Sequence, residues 1–149
     1  MKKFFVVIIC GLLLIGASTT LSAQTIPVSG AVSSELLKMV FTPNGMTAQF
    51  KDTWTGSLEG HGHTHIFGTT VDPETGQMTA TARIWLFTPQ GNLIFDGVGT
   101  ATGPFLQLVT TIFQGTGLYQ NATGTSISTG MIGPDGVEST YTGTITLAN

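Results

Sequence analysis

The feature that most constrains this chain is a turn design that recurs four times. Pro43-Asn44-Gly45, Pro73-Glu74-Thr75-Gly76, Pro89-Gln90-Gly91 and Pro134-Asp135-Gly136 each place a proline shortly before a glycine. Proline presets the first turn dihedral, and glycine adopts the positive φ that completes the reversal. Each turn lies between segments rich in Thr, Val, Ile and aromatic residues, which is the punctuation of β-hairpins. Outside Phe4–Ile15 no segment carries a clear helical period.

The strands expected from this punctuation are His61–Thr70, Gln77–Phe87, Asn92–Thr102, Leu106–Gln114, Ala122–Gly130 and Val137–Leu147. Met46–Asp52 and Thr53–Leu58 precede them, as two strands or one bent strand. Val28–Phe41 is either a further strand or partly irregular chain. About eight antiparallel strands with short connections suit a small barrel or a sandwich. Glycines inside the strands, at Gly56, Gly62, Gly68, Gly97, Gly99 and Gly143, permit the coiling that closure needs. The expected fold class is therefore all-β, an eight-stranded antiparallel β-barrel.

The N-terminus reads differently. Lys2 and Lys3 precede an apolar run, Phe4–Ile15, and a small polar segment ends at Leu21-Ser22-Ala23. That is the layout of a secretory signal peptide with cleavage after Ala23. The run is shorter than the roughly 20 residues a spanning helix needs, so no membrane span is expected. The expected organisation is a signal peptide over 1–23, an N-terminal segment over 24–45 and a barrel domain over 46–149, secreted or periplasmic.

Cleavage would remove Cys10, the single cysteine of the chain. The exported domain then has neither a disulfide nor a thiol nucleophile. Its only basic residues are Lys38, Lys51 and Arg83, against all eight acidic residues of the chain. Such a balance does not attract phosphate backbones, which argues against nucleic acid as a partner. No nucleophile elbow, phosphate loop or dinucleotide fingerprint is present, and no cofactor is expected.

Alternation along the strands places Thr79, Thr81, Arg83, Trp85 and Phe87 on one face and Ala80, Ala82, Ile84 and Leu86 on the other. Phe105, Val109 and Phe113 likewise oppose Leu106, Leu108 and Ile112. Both faces of both strands are apolar. One must fill or line the interior, and the other must be covered, most simply by a second subunit. A homo-oligomer, dimer or trimer, is the expectation.

Residues 115–124 read GTGLYQNATG, and the last strand carries Tyr141-Thr142-Gly143-Thr144-Ile145. This pattern resembles the barrel superfamily of allene oxide cyclases and dirigent proteins, over roughly Thr47 to the C-terminus. The resemblance implies a calycin-like eight-stranded barrel with an apolar cavity, usually oligomeric, that binds hydrophobic or aromatic small molecules. Some members orient a reactive intermediate and some cyclise an unsaturated substrate. No position here matches their catalytic motifs, and the fold alone is no argument for isomerase activity.

Candidate ligand-binding residues are Arg83, Trp85, Phe113 and Tyr119: three aromatics able to line a cavity, and a cation able to meet a ligand carboxylate. The alternative for Arg83 is a strand-end residue reaching water, and for the aromatics plain core.

The stretch GHGHTHIFG, residues 60–68, holds all three histidines at alternate positions, His61, His63 and His65. Same-face neighbours on a strand lie about 6.6 Å apart, and the outer two about 13 Å apart. His61 and His63 are thus a candidate metal pair that needs a carboxylate from elsewhere, such as Asp52 or Asp96. The competing readings are imidazoles decorating a solvated face, and a surface that responds to pH.

Three functions follow from these residues. The leading one is a barrel that binds a hydrophobic small molecule without chemistry of its own. The second is a cyclase or isomerase acting on an unsaturated lipid- or polyketide-like substrate, which requires a polar group such as Arg83 or Glu59 buried beside open volume. The third is a metal- or surface-binding protein working through the histidine row.

Overall fold

A computed structural model describes residues 22–43 and 45–148. Nearly all of the segment expected to be a signal peptide lies outside them. The chain forms eight strands: β1 (Gln24–Thr42), β2 (Gly45–Gly56), β3 (Gly60–Val71), β4 (Met78–Thr88), β5 (Gly91–Thr102), β6 (Phe105–Gly115), β7 (Thr123–Ile132) and β8 (Gly136–Leu147). A short 3-10 turn, Gly117–Tyr119, joins β6 to β7. The strands close into one antiparallel barrel in sequence order, with β1 pairing both β2 and β8. Residues 46–58, open to reading as one or two strands, are one strand to Gly56 and then a turn. Gln24–Thr42, within the N-terminal segment that the sequence left open as strand or irregular chain, is a strand of the barrel. β1 is its longest strand and bonds along both edges, so it leaves no free edge for irregular chain.

The four turns behave as their sequence requires. Gly45, Gly76, Gly91 and Gly136 take φ values of +123°, +69°, +145° and +155°. In the β3–β4 turn, Asp72 Oδ1 also accepts the Glu74 N–H at 2.8 Å, which fixes the reversal from the proline side.

Three bulges interrupt the ladders. Pairing skips Leu37 in β1, Phe67 in β3 and Phe113 in β6. All three skipped residues are large, apolar and exposed. A bulge inserts one residue and bends its strand, as closing eight long strands demands. It also shifts the inside–outside alternation by one position.

The interior is graded in size. Towards the chain termini it is filled by Val28, Leu58, Leu86, Leu93, Ile112 and Ile145, all buried. Across the middle Trp54 stacks on Phe95, with ring centroids 6.1 Å apart and planes 7° apart, and tilts against Tyr141 at 5.0 Å. The Tyr141 hydroxyl donates to the Thr55 carbonyl at 3.1 Å and accepts the Leu58 N–H at 3.0 Å. Beyond that layer the inward positions turn small, with Ala48, Ala82, Gly99 and Ala101. Small side chains on a closed wall leave volume that none of the described residues fills.

Candidate functional site

That volume is a cavity of about 240 Å³. Trp54 and Ile84 form its floor. Ala80, Ala82 and Ala101 form part of its wall, and Met39, Met46 and Met78 stand towards the end where the β1–β2 and β3–β4 turns lie. Met39 and Ile132 line it while remaining 40 % and 36 % exposed, so the cavity reaches solvent at that end. The opposite end is shut. The segment GTGLYQNATG supplies the 3-10 turn there, made possible by Gly117 at φ +60°. Tyr119 enters the core from it, and its hydroxyl donates to Gln90 Oε1 at 3.0 Å.

The lining is apolar but for a few hydroxyls, and Ser34 and Thr64 share one wall. Between them on the inward face of β2 sits Asp52, opposite Ser34 on β1 and Gly62 on β3. It is fully buried. Its Oδ2 accepts the Thr64 hydroxyl at 2.6 Å, while Oδ1 has no partner. Burial pushes its carboxyl above the ordinary range. The Thr64 hydrogen bond, the nearby Ser34 hydroxyl and the charge of His63 across the wall act in the opposite direction. The Trp54 Nε1–H, two residues along the same face, is also buried without an acceptor. The site is thus an apolar pocket with one polar wall, backed by a carboxyl that is held towards its neutral form.

The residues singled out from the sequence are placed differently. Arg83, Trp85 and Phe113 lie on the outer surface and do not line the cavity: Arg83 and Trp85 alternate with the inward Ala82, Ile84 and Leu86, and Phe113 is the exposed residue that the β6 bulge leaves unpaired. Arg83 Nε donates to Asp96 Oδ1 at 2.7 Å, and its guanidinium stands 4.5 Å from the Phe113 ring centroid. Arg83 therefore already has its carboxylate, and it comes from the protein. Tyr119 is inside, but at the closed end beyond Trp54. Glu59 is exposed in the β2–β3 turn.

His61, His63 and His65 all face outward. His61 and His63 pack on Phe87, at 5.7 and 6.4 Å between centroids, and His65 packs on Phe67 at 4.6 Å. Lys51 is the cross-strand neighbour of His63 and Arg83 that of His65. Of the two carboxylates that might have joined them, Asp52 is inside the barrel and Asp96 is bound to Arg83. Among the described residues no group of three or more His, Cys, Asp or Glu could hold a metal ion. Asp52 was visible in the sequence only as a distant metal ligand. Its inward position follows from the alternation Ala48, Phe50, Asp52, Trp54, in which it is the one polar member.

The architecture is that of the allene oxide cyclase and dirigent type of barrel, as the GTGLYQNATG segment led one to expect. Solved structures with the same fold include a pyocyanin demethylase, at 18% identity and a TM-score of 0.55, covering 84% of this chain and 100% of its own. Two pterocarpan synthase dirigent proteins are similar at 12% identity. One has a TM-score of 0.57 and covers 89% of this chain and 96% of its own, and the other has a TM-score of 0.50 and covers 83% and 94%. No family model and no curated protein matches the sequence.

Proposed function

We propose that the barrel is a secreted or periplasmic binding protein that holds a hydrophobic small molecule in its interior without chemistry of its own. The cavity carries this reading. It has a closed aromatic floor, an apolar wall built from alanines and an opening to solvent, which is the form that small-molecule sites take. Its 240 Å³ suits a compact ligand rather than a long chain. The fold neighbours named as a pyocyanin demethylase and as pterocarpan synthase dirigent proteins support a small-molecule occupant. The outer surface supports assembly with further copies. Val98, Val109 and Ile127 are direct cross-strand neighbours and all exposed, an apolar row that a second subunit would cover.

A cyclase or isomerase is the second reading, and Asp52 favours it. A buried carboxyl whose pKa is raised by burial, behind a pocket wall, is the kind of group that exchanges a proton with a bound substrate. It takes the place that Arg83 or Glu59 would have needed to occupy.

Native mass spectrometry of the protein purified without an affinity tag tests the binding reading. A co-purifying organic mass that is retained by the wild type and lost in Ala82→Leu, which narrows the cavity, is the expected result. A bare protein that also fails to take up small aromatic compounds from a mixed library would overturn it. Turnover of a retained compound that stops in Asp52→Asn would replace binding by catalysis.

A further inference from the structure

A serine or threonine hydroxyl has one proton to donate and two lone pairs that accept. Where the protein itself takes the proton, only the lone pairs remain for a ligand. The hydroxyls on the cavity wall are in that position, and this restricts what can bind beside them.

Thr64 is the clearest case. It alternates along β3 with the outward His63 and His65, so its side chain faces inward, and it borders the cavity. It is half-buried, and Asp52 behind it is fully buried. The Thr64 hydroxyl donates to Asp52 Oδ2 at 2.6 Å, a short bond for such a pair. Asp52 Oδ1 has no partner, so a proton taken up by the carboxyl goes there. Oδ2 therefore accepts from Thr64 whether the carboxyl is ionised or neutral. The Thr64 oxygen presents lone pairs to the cavity in both states.

The rest of the wall has the same sense. The Ser139 hydroxyl, on the lining from β8, donates to the Val32 carbonyl at 3.5 Å. The Ser34 hydroxyl stands near the Asp52 carboxyl from β1, which draws its proton in the same way. Among the described residues no charged side chain borders the cavity, and the one side-chain nitrogen on the lining, Trp54 Nε1, is buried. The polar part of the wall thus offers acceptors. A ligand acceptor set against Thr64 would leave two sets of lone pairs facing each other, whereas a ligand N–H or O–H would satisfy both partners.

We infer that the cavity selects a compact ring compound carrying an N–H or O–H donor on its edge, with Thr64 as the acceptor. Asp52 is the positioning residue that keeps Thr64 in that role. The inference rests on the binding reading above and adds the polarity of the ligand to it. The apolar wall sets the shape of the ligand, and Thr64 sets which way round its hydrogen bond runs.

Equilibrium dialysis of the full-length protein against indole and against benzofuran tests the assignment. The two are the same fused ring pair, with the donor N–H of one replaced by an ether oxygen in the other. Indole should bind about tenfold tighter. Thr64→Val should bring that ratio close to one, and Thr64→Ser should restore it. Asp52→Leu, which offers Thr64 no acceptor, should lower the ratio because the freed hydroxyl can then donate to a ligand. A merely structural role for Asp52 would weaken both rings alike. Equal binding of the two rings by the wild type, or tighter binding of benzofuran, would overturn the inference and leave the binding reading standing. A ratio that survives Thr64→Val or Asp52→Leu would also overturn it. So would uptake of neither ring, and retention of another compound from the mixed library separates that result from a failure of the binding reading. The wild-type ratio is decisive even where a variant fails to fold.

Discussion

Thr64 donates its hydroxyl to Asp52 Oδ2 at 2.6 Å, across the wall between β2 and β3, inside a barrel that is otherwise apolar. The pair is a compromise. The hydroxyl satisfies one carboxyl oxygen, and the other is left without a partner. Burial outweighs the hydrogen bond, so the folded protein holds the Asp52 proton more tightly than the unfolded chain does.

The consequence for stability has a definite sign. A carboxyl with a raised folded pKa contributes fully below its ordinary value of 3.8, and that contribution is lost as pH rises through the folded value. Asp52→Asn removes the titration. Its melting temperature should match that of the wild type below the ordinary carboxylate value and exceed it increasingly as pH rises above it. Thermal melts across pH decide the point. Parallel curves for the two proteins would show that folding does not raise the Asp52 pKa.

Tyr141 holds the floor of the cavity. Tyr141→Phe keeps the ring against Trp54 but leaves the buried Leu58 N–H without its acceptor. A loss of about 1–3 kcal/mol is expected, the range for an orphaned buried donor. Urea unfolding measures it.

Ala82→Leu should move stability and binding in opposite directions. Extra methyl groups directed into an existing void raise stability by roughly 0.5–2 kcal/mol. The same groups occupy space that a ligand needs. A variant that is both less stable and still able to retain the wild-type ligand would show that Ala82 does not border free volume.

Val109 sits at the centre of the outer apolar row, between Val98 and Ile127. If that row is covered by another copy, Val109→Asp should convert an oligomer to a monomer with its fold intact. Light scattering coupled to size exclusion reads the mass directly. A wild type that is already monomeric would leave the row uncovered and refute the assembly.

The Arg83–Asp96 pair is half exposed on both sides. Its partner holds the Asp96 carboxyl below the ordinary range, so what the pair contributes is present at neutral pH and is lost in acid. Because solvent screens it, Asp96→Asn should leave the melting temperature near that of the wild type. A large loss would mean that the pair is buried in an assembly.

How much of this was legible follows from the range over which each signal acts. The four proline–glycine turns are local. They depend on dihedrals that two residues fix, and they delimit the hairpins wherever the chain goes. About eight antiparallel strands were readable for that reason, and the glycines inside them pointed to a barrel rather than a sandwich. Alternation is local too, and it separated Ala80, Ala82, Ile84 and Leu86 correctly from Arg83, Trp85 and Phe87. It could not say which set is inside, because both are apolar and a strand has no inherent interior. Closure decided that, by turning the smaller set inward and so creating a cavity that larger side chains would have filled. Closure also set Asp52 against Thr64, twelve residues away, and Arg83 against Asp96. Those are relations between strands, set by register, and no single segment carries them.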